Sequence, residues 1–220
     1  MSIDYFEAQQ QAAEEEFWEN IPKQLHEESV RGYLGVYGDA IDARVVRLSE
    51  MAARLQTAGE HGATLTVATT AIEVMIQYFC VRPIVEGAFL SDVWAITLAK
   101  WIVEARAQDQ RKILVGILRV WNIDLNEIKL RDGTRRLWQT IHELILPKRN
   151  QFVHRGDSVG PEDAATAVEC ADCFRREIVS QIAAKLGFTL DKTQKWARIV
   201  HGEFGGETRF NAGDPFVARE

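Results

Sequence analysis

Cysteine is scarce: Cys80, Cys170 and Cys173 are the only three in 220 residues, too few and odd in number for a disulfide framework. Cys170 and Cys173 form one C-x-x-C inside a helical pattern, with no second pair and no glycine-rich turn. That spacing reads as two small core residues rather than a zinc or redox site. The opening stretch, MSIDYFEAQQ, is acidic and lacks the apolar core of a signal peptide. The longest apolar run is interrupted by Glu73 and Gln77, so it indicates no membrane span, and a cytoplasmic location is expected. Excess positive charge is missing too. A formal net charge of −6 argues against a protein that coats nucleic acid nonspecifically. No internal repeat is present.

What the chain does contain is helical periodicity. Apolar residues make up 46%, a globular composition. Ile41, Val45, Leu48, Ala52 and Leu55 lie on one helix face, with Gly59 and Gly62 bracketing its end. Residues 63–81 are apolar nearly all round, as in a bundle centre or an oligomer interface. The Thr and Val content of 64–70 permits a strand, but the length favours a helix closed by Pro83. Ser91 and Asp92 cap a further helix with Trp94, Leu98, Trp101 and Ile102. Another follows over 109–120. WNIDLNEIKLRDGT reads as a loop, and Leu137, Ile141, Leu144 and Ile145 form a stripe ending near Pro147. The stretch GPEDAATAVE opens the next helix, with Pro161 at its first position and Glu162 and Asp163 at the positive end of its dipole. Its stripe runs through Ala167, Ala171, Phe174, Ile178 and Ile182 to Gly187. A short amphipathic helix is expected over 191–200, then an aperiodic tail. The expectation is an all-α chain: an acidic N-terminal helical extension (1–38), a helical bundle (39–187), and a C-terminal helix and tail (188–220).

Charge is uneven along this pattern. Residues 1–50 hold eleven acids and four bases, whereas 131–155 hold six bases and two acids. Within the basic segment lies RNQFVH, residues 149–154. Arg149, Asn150 and His154 there are either ordinary polarity at a helix end or part of a catalytic site. The stretch RNQFVHRG, ahead of an acidic helix start and an alanine-rich helix, resembles the HEPN domain (higher eukaryotes and prokaryotes nucleotide-binding). That family carries an arginine, then a polar residue, then a histidine a few positions on. Arg149, Asn150 and His154 match those positions, and the likeness covers roughly residues 40–186 of the helical pattern.

The resemblance implies a homodimer whose two motifs face each other in a composite, metal-independent ribonuclease site. It implies RNA as substrate, no cofactor, and an antitoxin or defence-system partner; the interrupted apolar run adds the expectation of no membrane association. Other members of the family are non-catalytic modules that bind nucleotides or proteins. HEPN toxins regulated by nucleotidyltransferases often carry a tyrosine two positions after the histidine; here that position is Gly156.

The residue chemistry is compatible with RNA cleavage. Histidine titrates near neutrality and can accept or donate a proton. A guanidinium is permanently cationic and grips two phosphate oxygens at once, which suits Arg149 to transition-state charge. Asn150 offers both donors and an acceptor. Lys148, Arg155, Arg135 and Arg136 are the candidate RNA-binding cations. Five residues on a regular helix turn Arg149 and His154 about 140° apart. One ideal helix therefore does not aim both at one phosphate, and either a bend after Pro147 or a second subunit is required. Glu73 is the only charge between Gly62 and Arg82. It sits on an exposed helix edge or it holds Arg149 in place. His142 is read as packing or surface, a weak candidate for RNA contact.

Overall fold

The computed structural model describes residues 27–83, 107–190 and 196–198. The expected helix around Trp94 and Trp101, the first 26 residues and the tail from His201 lie outside the described residues. Within them the chain is all-α apart from a short ribbon near its end.

Helix α1 spans Glu27–Thr57, and α2 spans His61–Met75 and continues through a π-helical turn, Ile76–Val81. Helix α3 is Ala107–Val120. A looped segment leads to α4 (Leu137–Thr140), a second π turn (Ile141–Ile145) and α5 (Leu146–Arg155). Helix α6 (Pro161–Phe174) passes through a third π turn, Arg175–Val179, into α7 (Ser180–Lys185). The central layer is α2, flanked by α1 and α6 and touched by α5.

One continuous helix crosses the expected boundary at residue 38. Val30 and Leu34 are buried and continue the face of Ile41, Val45 and Ala52, and Arg31 Nε donates to the Leu186 carbonyl at 3.1 Å. Residues 27–38 thus belong to the bundle and are no extension. The glycines at 32, 35 and 38 blurred the period there. They are tolerated because packing, not intrinsic propensity, holds the helix.

Helix α2 resolves the strand ambiguity. The hydroxyls of Thr64, Thr66, Thr69 and Thr70 donate to the carbonyls of Glu60, Gly62, Leu65 and Thr66, at 2.7–3.0 Å. Each threonine is thereby satisfied inside its own helix. By length and composition His61–Val81 could cross a membrane, but 61% of its most apolar stretch is buried inside the fold. It is the core helix, as its all-round apolarity suggests.

Pro147 does not end its helix. A proline lacks the N–H and crowds the carbonyl four residues back. Here a π turn directly precedes it, in which Leu146 N–H reaches the Ile141 carbonyl, and the widened turn accommodates the ring. Helix α5 then runs regularly to Gly156, whose positive φ of 73° closes it.

The helix expected over 191–200 is corrected at Trp196–Arg198, the part of it within the described residues. Trp196–Arg198 is a strand paired antiparallel with Phe188–Leu190, Phe188 opposite Arg198 and Leu190 opposite Trp196. Phe188 is buried, its ring tip 3.6 Å from where a Cβ on Gly35 would stand, so the ribbon docks on α1. Cys80, Cys170 and Cys173 are all buried core residues.

Candidate functional site

Helix α5 carries RNQFVH, and it is the one bundle helix with a full side-chain description that buries no residue. Beyond Leu146, which packs against the core at its first turn, three contacts position the motif. The Phe152 ring lies over the backbone of Gly62, where any Cβ would collide with it. Lys148 pairs with Asp163 in the first turn of α6. Arg149 faces Glu73 on α2. Gly62 is therefore no helix-end signal; it is the bare patch of α2 that lets an aromatic ring pack against it.

These contacts fix which way each motif residue points. Arg149 and Phe152 are three apart and share the inner face. His154 is two residues beyond Phe152, about 200° around the helix, and is exposed. It makes no hydrogen bond or ion pair among the described residues. The backbone shows no bend after Pro147 that would reunite Arg149 with His154, so one chain does not aim both at a single phosphate.

The Arg149 guanidinium makes one hydrogen bond among the described residues. Its Nε is buried without a hydrogen-bond partner among the described residues, and Nη1 donates to Asn150 Oδ1 at 3.1 Å. Nη2 stands 3.9 Å from Glu73 Oε1, an ion-pair distance beyond hydrogen-bond reach. The Arg149 side chain is 27% exposed and that of Glu73 is 49% exposed. Glu73 thus occupies the exposed edge of α2 and faces Arg149 as well. The pair is loose and partly solvated, not a buried strut.

The basic segment is largely neutralised by the fold. Arg131 pairs with Asp172 at 2.5 Å, and its backbone N–H donates to Glu169 Oε1 at 2.9 Å. Arg135 pairs with Asp132 at 2.5 Å and with Glu169 at 3.3 Å, and donates to the Thr166 hydroxyl. Arg176 bridges Asp172 and Glu177. Asp132 anchors the turn by accepting from the Thr134 and Arg135 N–H groups at 2.9 and 3.0 Å. Those bonds and the Arg135 guanidinium hold its carboxyl well below the usual range, while Asp132 raises Arg135 further. Of the proposed RNA-binding cations, Arg135 and Lys148 are therefore committed to carboxylates. Arg136 and Arg155 are exposed, and their side chains have no ion pair among the described residues. Linear charge counting missed this because the neutralising acids of α6 lie 15–41 residues away in sequence.

Two further features escaped the sequence. Asp42 on α1 and Arg175 in the third π turn form a bidentate pair, both bonds 2.9 Å, with Asp42 side chain 3% and Arg175 15% exposed. Their signal was a charge inside an apolar stripe. Asp42 follows Ile41, and Arg175 stands four residues after Ala171 and three before Ile178. The other is a groove of about 380 Å³ between α1, α2 and α6, floored by Val46, Ala52, Ala68 and Ala171 and edged by Arg131 and Arg175. His142 packs on Trp138, ring centroids 6.1 Å apart, which makes it a packing residue. Burial pushes the Cys170 thiol up to about 12 and raises Cys80 and Cys173 too, so none is poised as a thiolate.

Compared with protein-family models, curated proteins and solved structures, the chain matches none.

Proposed function

We propose that this chain is a HEPN-like, metal-independent endoribonuclease whose site is completed by a second copy of itself. One observation carries the reading: α5 presents an outward His154, with no hydrogen bond or ion pair among the described residues, on the same helix as a guanidinium whose Nη2 makes no hydrogen bond among them. The face around His154 includes Val153, 48% exposed, and α5 buries nothing of its own. A second α5 packed there would bring the two histidines together, and an oblique crossing would set each His154 toward the partly exposed Arg149 edge of the other copy.

In this reaction the 2′-oxygen attacks the adjacent phosphorus and the bond to the 5′-oxygen breaks. One His154 accepts the proton from the 2′-hydroxyl. The other His154 gives a proton to the leaving 5′-oxygen, which leaves a 2′,3′-cyclic phosphate and a 5′-hydroxyl. Arg149 binds the non-bridging oxygens as their charge grows, and Asn150 holds the guanidinium through the bond to its Oδ1. Arg136 and Arg155 are the cations left to contact RNA. A cytoplasmic location and an antitoxin or defence-system partner belong with this reading.

The neutralised basic segment favours a second reading, a non-catalytic HEPN-like module that binds a nucleotide or a protein. Cleavage of RNA in excess EDTA, with cyclic phosphate ends on the product, separates the two. His154→Ala and Arg149→Ala should each abolish cutting. His154→Ala should leave stability within about 0.5 kcal/mol, because the residue is exposed and makes no hydrogen bond or ion pair among the described residues. Loss of cleavage on chelation, or full activity from a monomer in sedimentation, would overturn the proposal.

A further inference from the structure

We infer that Glu73 holds the place of a phosphate on Arg149, an internal competitor that a substrate or product phosphate displaces. The inference rests on the reading of Arg149 as the phosphate-binding group.

Arg149 is aimed without help from Glu73. Its stem is buried at Nε, and Nη1 is fixed by Asn150 on the same helix. Glu73 adds no hydrogen bond, since its nearest oxygen is 3.9 Å from Nη2. A strut would have to touch. What Glu73 supplies instead is charge, and it is the only charged residue between Gly62 and Arg82. It therefore dominates what α2 contributes to the field at this guanidinium.

An exposed pair at this separation is weak and easily screened. A phosphate offers more: two oxygens that can take two guanidinium N–H groups in parallel. Nη2, which donates to no acceptor among the described residues, lies on the side facing Glu73, so an arriving phosphate and the carboxylate seek the same donors. Glu73 thus keeps Arg149 neutralised at rest, lowers affinity for any phosphate group and favours product release. A phosphodiester and a terminal phosphate share this chemistry.

The test measures binding of inorganic phosphate and of an uncleavable all-2′-deoxy oligonucleotide at low salt. The proteins are wild type, Glu73→Gln, Glu73→Asp, Arg149→Gln and the Glu73→Gln/Arg149→Gln double variant. Glu73→Gln should bind inorganic phosphate about three- to fivefold more tightly, the scale of a partly exposed ion pair. Glu73→Asp, which withdraws the carboxylate by one methylene, should fall between. In the Arg149→Gln background the Glu73 change should have no effect, because only residues acting on the same ligand couple. Three results overturn the inference: equal or weaker phosphate binding by Glu73→Gln, a gain that persists without Arg149, and no measurable phosphate binding by Glu73→Gln. The oligonucleotide and RNA-cutting arms keep the two proposals apart. Tightened phosphate binding through Arg149 in a protein that never cuts RNA leaves the inference standing and removes the ribonuclease. RNA cutting with phosphate affinity indifferent to Glu73 does the reverse.

Discussion

The ring of Phe152 lies so close over Gly62 that a methyl group there would fall inside it. This contact seats α5, the helix of the candidate site, on the central helix. Gly62→Ala should therefore force the ring out and cost about 1–3 kcal/mol by overpacking. In a Phe152→Ala background the sign should reverse, since alanine is the better helix former by up to about 1 kcal/mol. Urea midpoints of the four proteins check this. A stabilising Gly62→Ala in the otherwise native chain would refute the contact.

The Asp42–Arg175 pair is buried on the Asp42 side and bonded through both oxygens. Removing Asp42 takes both of these bonds from a guanidinium that is 15% exposed, so Asp42→Ala should lose about 3 kcal/mol of stability. Replacing both residues by apolar ones of similar size should lose much less. Equilibrium unfolding of single and double variants measures the difference. Equal losses would mean that the pair acts through something other than uncompensated charge.

Acid sensitivity follows from Asp132. Its folded carboxyl titrates below the ordinary value, mainly through the bonds from Arg135. A group depressed by folding contributes stability above its unfolded pKa, near 4, and loses it as pH falls toward the folded value. Asp132→Asn should accordingly be less stable than wild type at neutral pH, with the gap closing below about pH 4. Denaturant midpoints across pH 2–7 follow the effect. A constant gap would sink it.

Thiol chemistry offers a further check. Cys80, Cys170 and Cys173 are buried with raised pKa values. An aromatic disulfide reagent at pH 8 should leave them largely unmodified in the folded protein and react with all three in denaturant. Rapid reaction in the native state would place at least one outside the core.

The sequence alone determined what depends on near neighbours along the chain. Helical period gave the all-α class, the faces of α1 and α6 and the all-round apolarity of α2. The loop at 121–134, the positive φ of Gly156 and the start of α6 at Pro161 were legible because turn and cap chemistry is local. The tertiary structure decided everything that depends on what lies opposite. Pro147 could continue a helix only because a π turn had widened it, and 191–200 yielded a strand at Trp196–Arg198 because Phe188–Leu190 was there to pair with it. Gly62 read as an ending until Phe152 was seen to lie over it. The same holds for charge. Lys148 looks like a free cation in a basic stretch and Arg135 has only Asp132 beside it in sequence, yet Asp163 and Glu169, which also neutralise them, come from α6, distant in sequence and adjacent in space. Periodicity and turn propensity act over a few residues, whereas Coulombic pairing and packing act over a few ångströms, and only the folded chain converts one distance into the other.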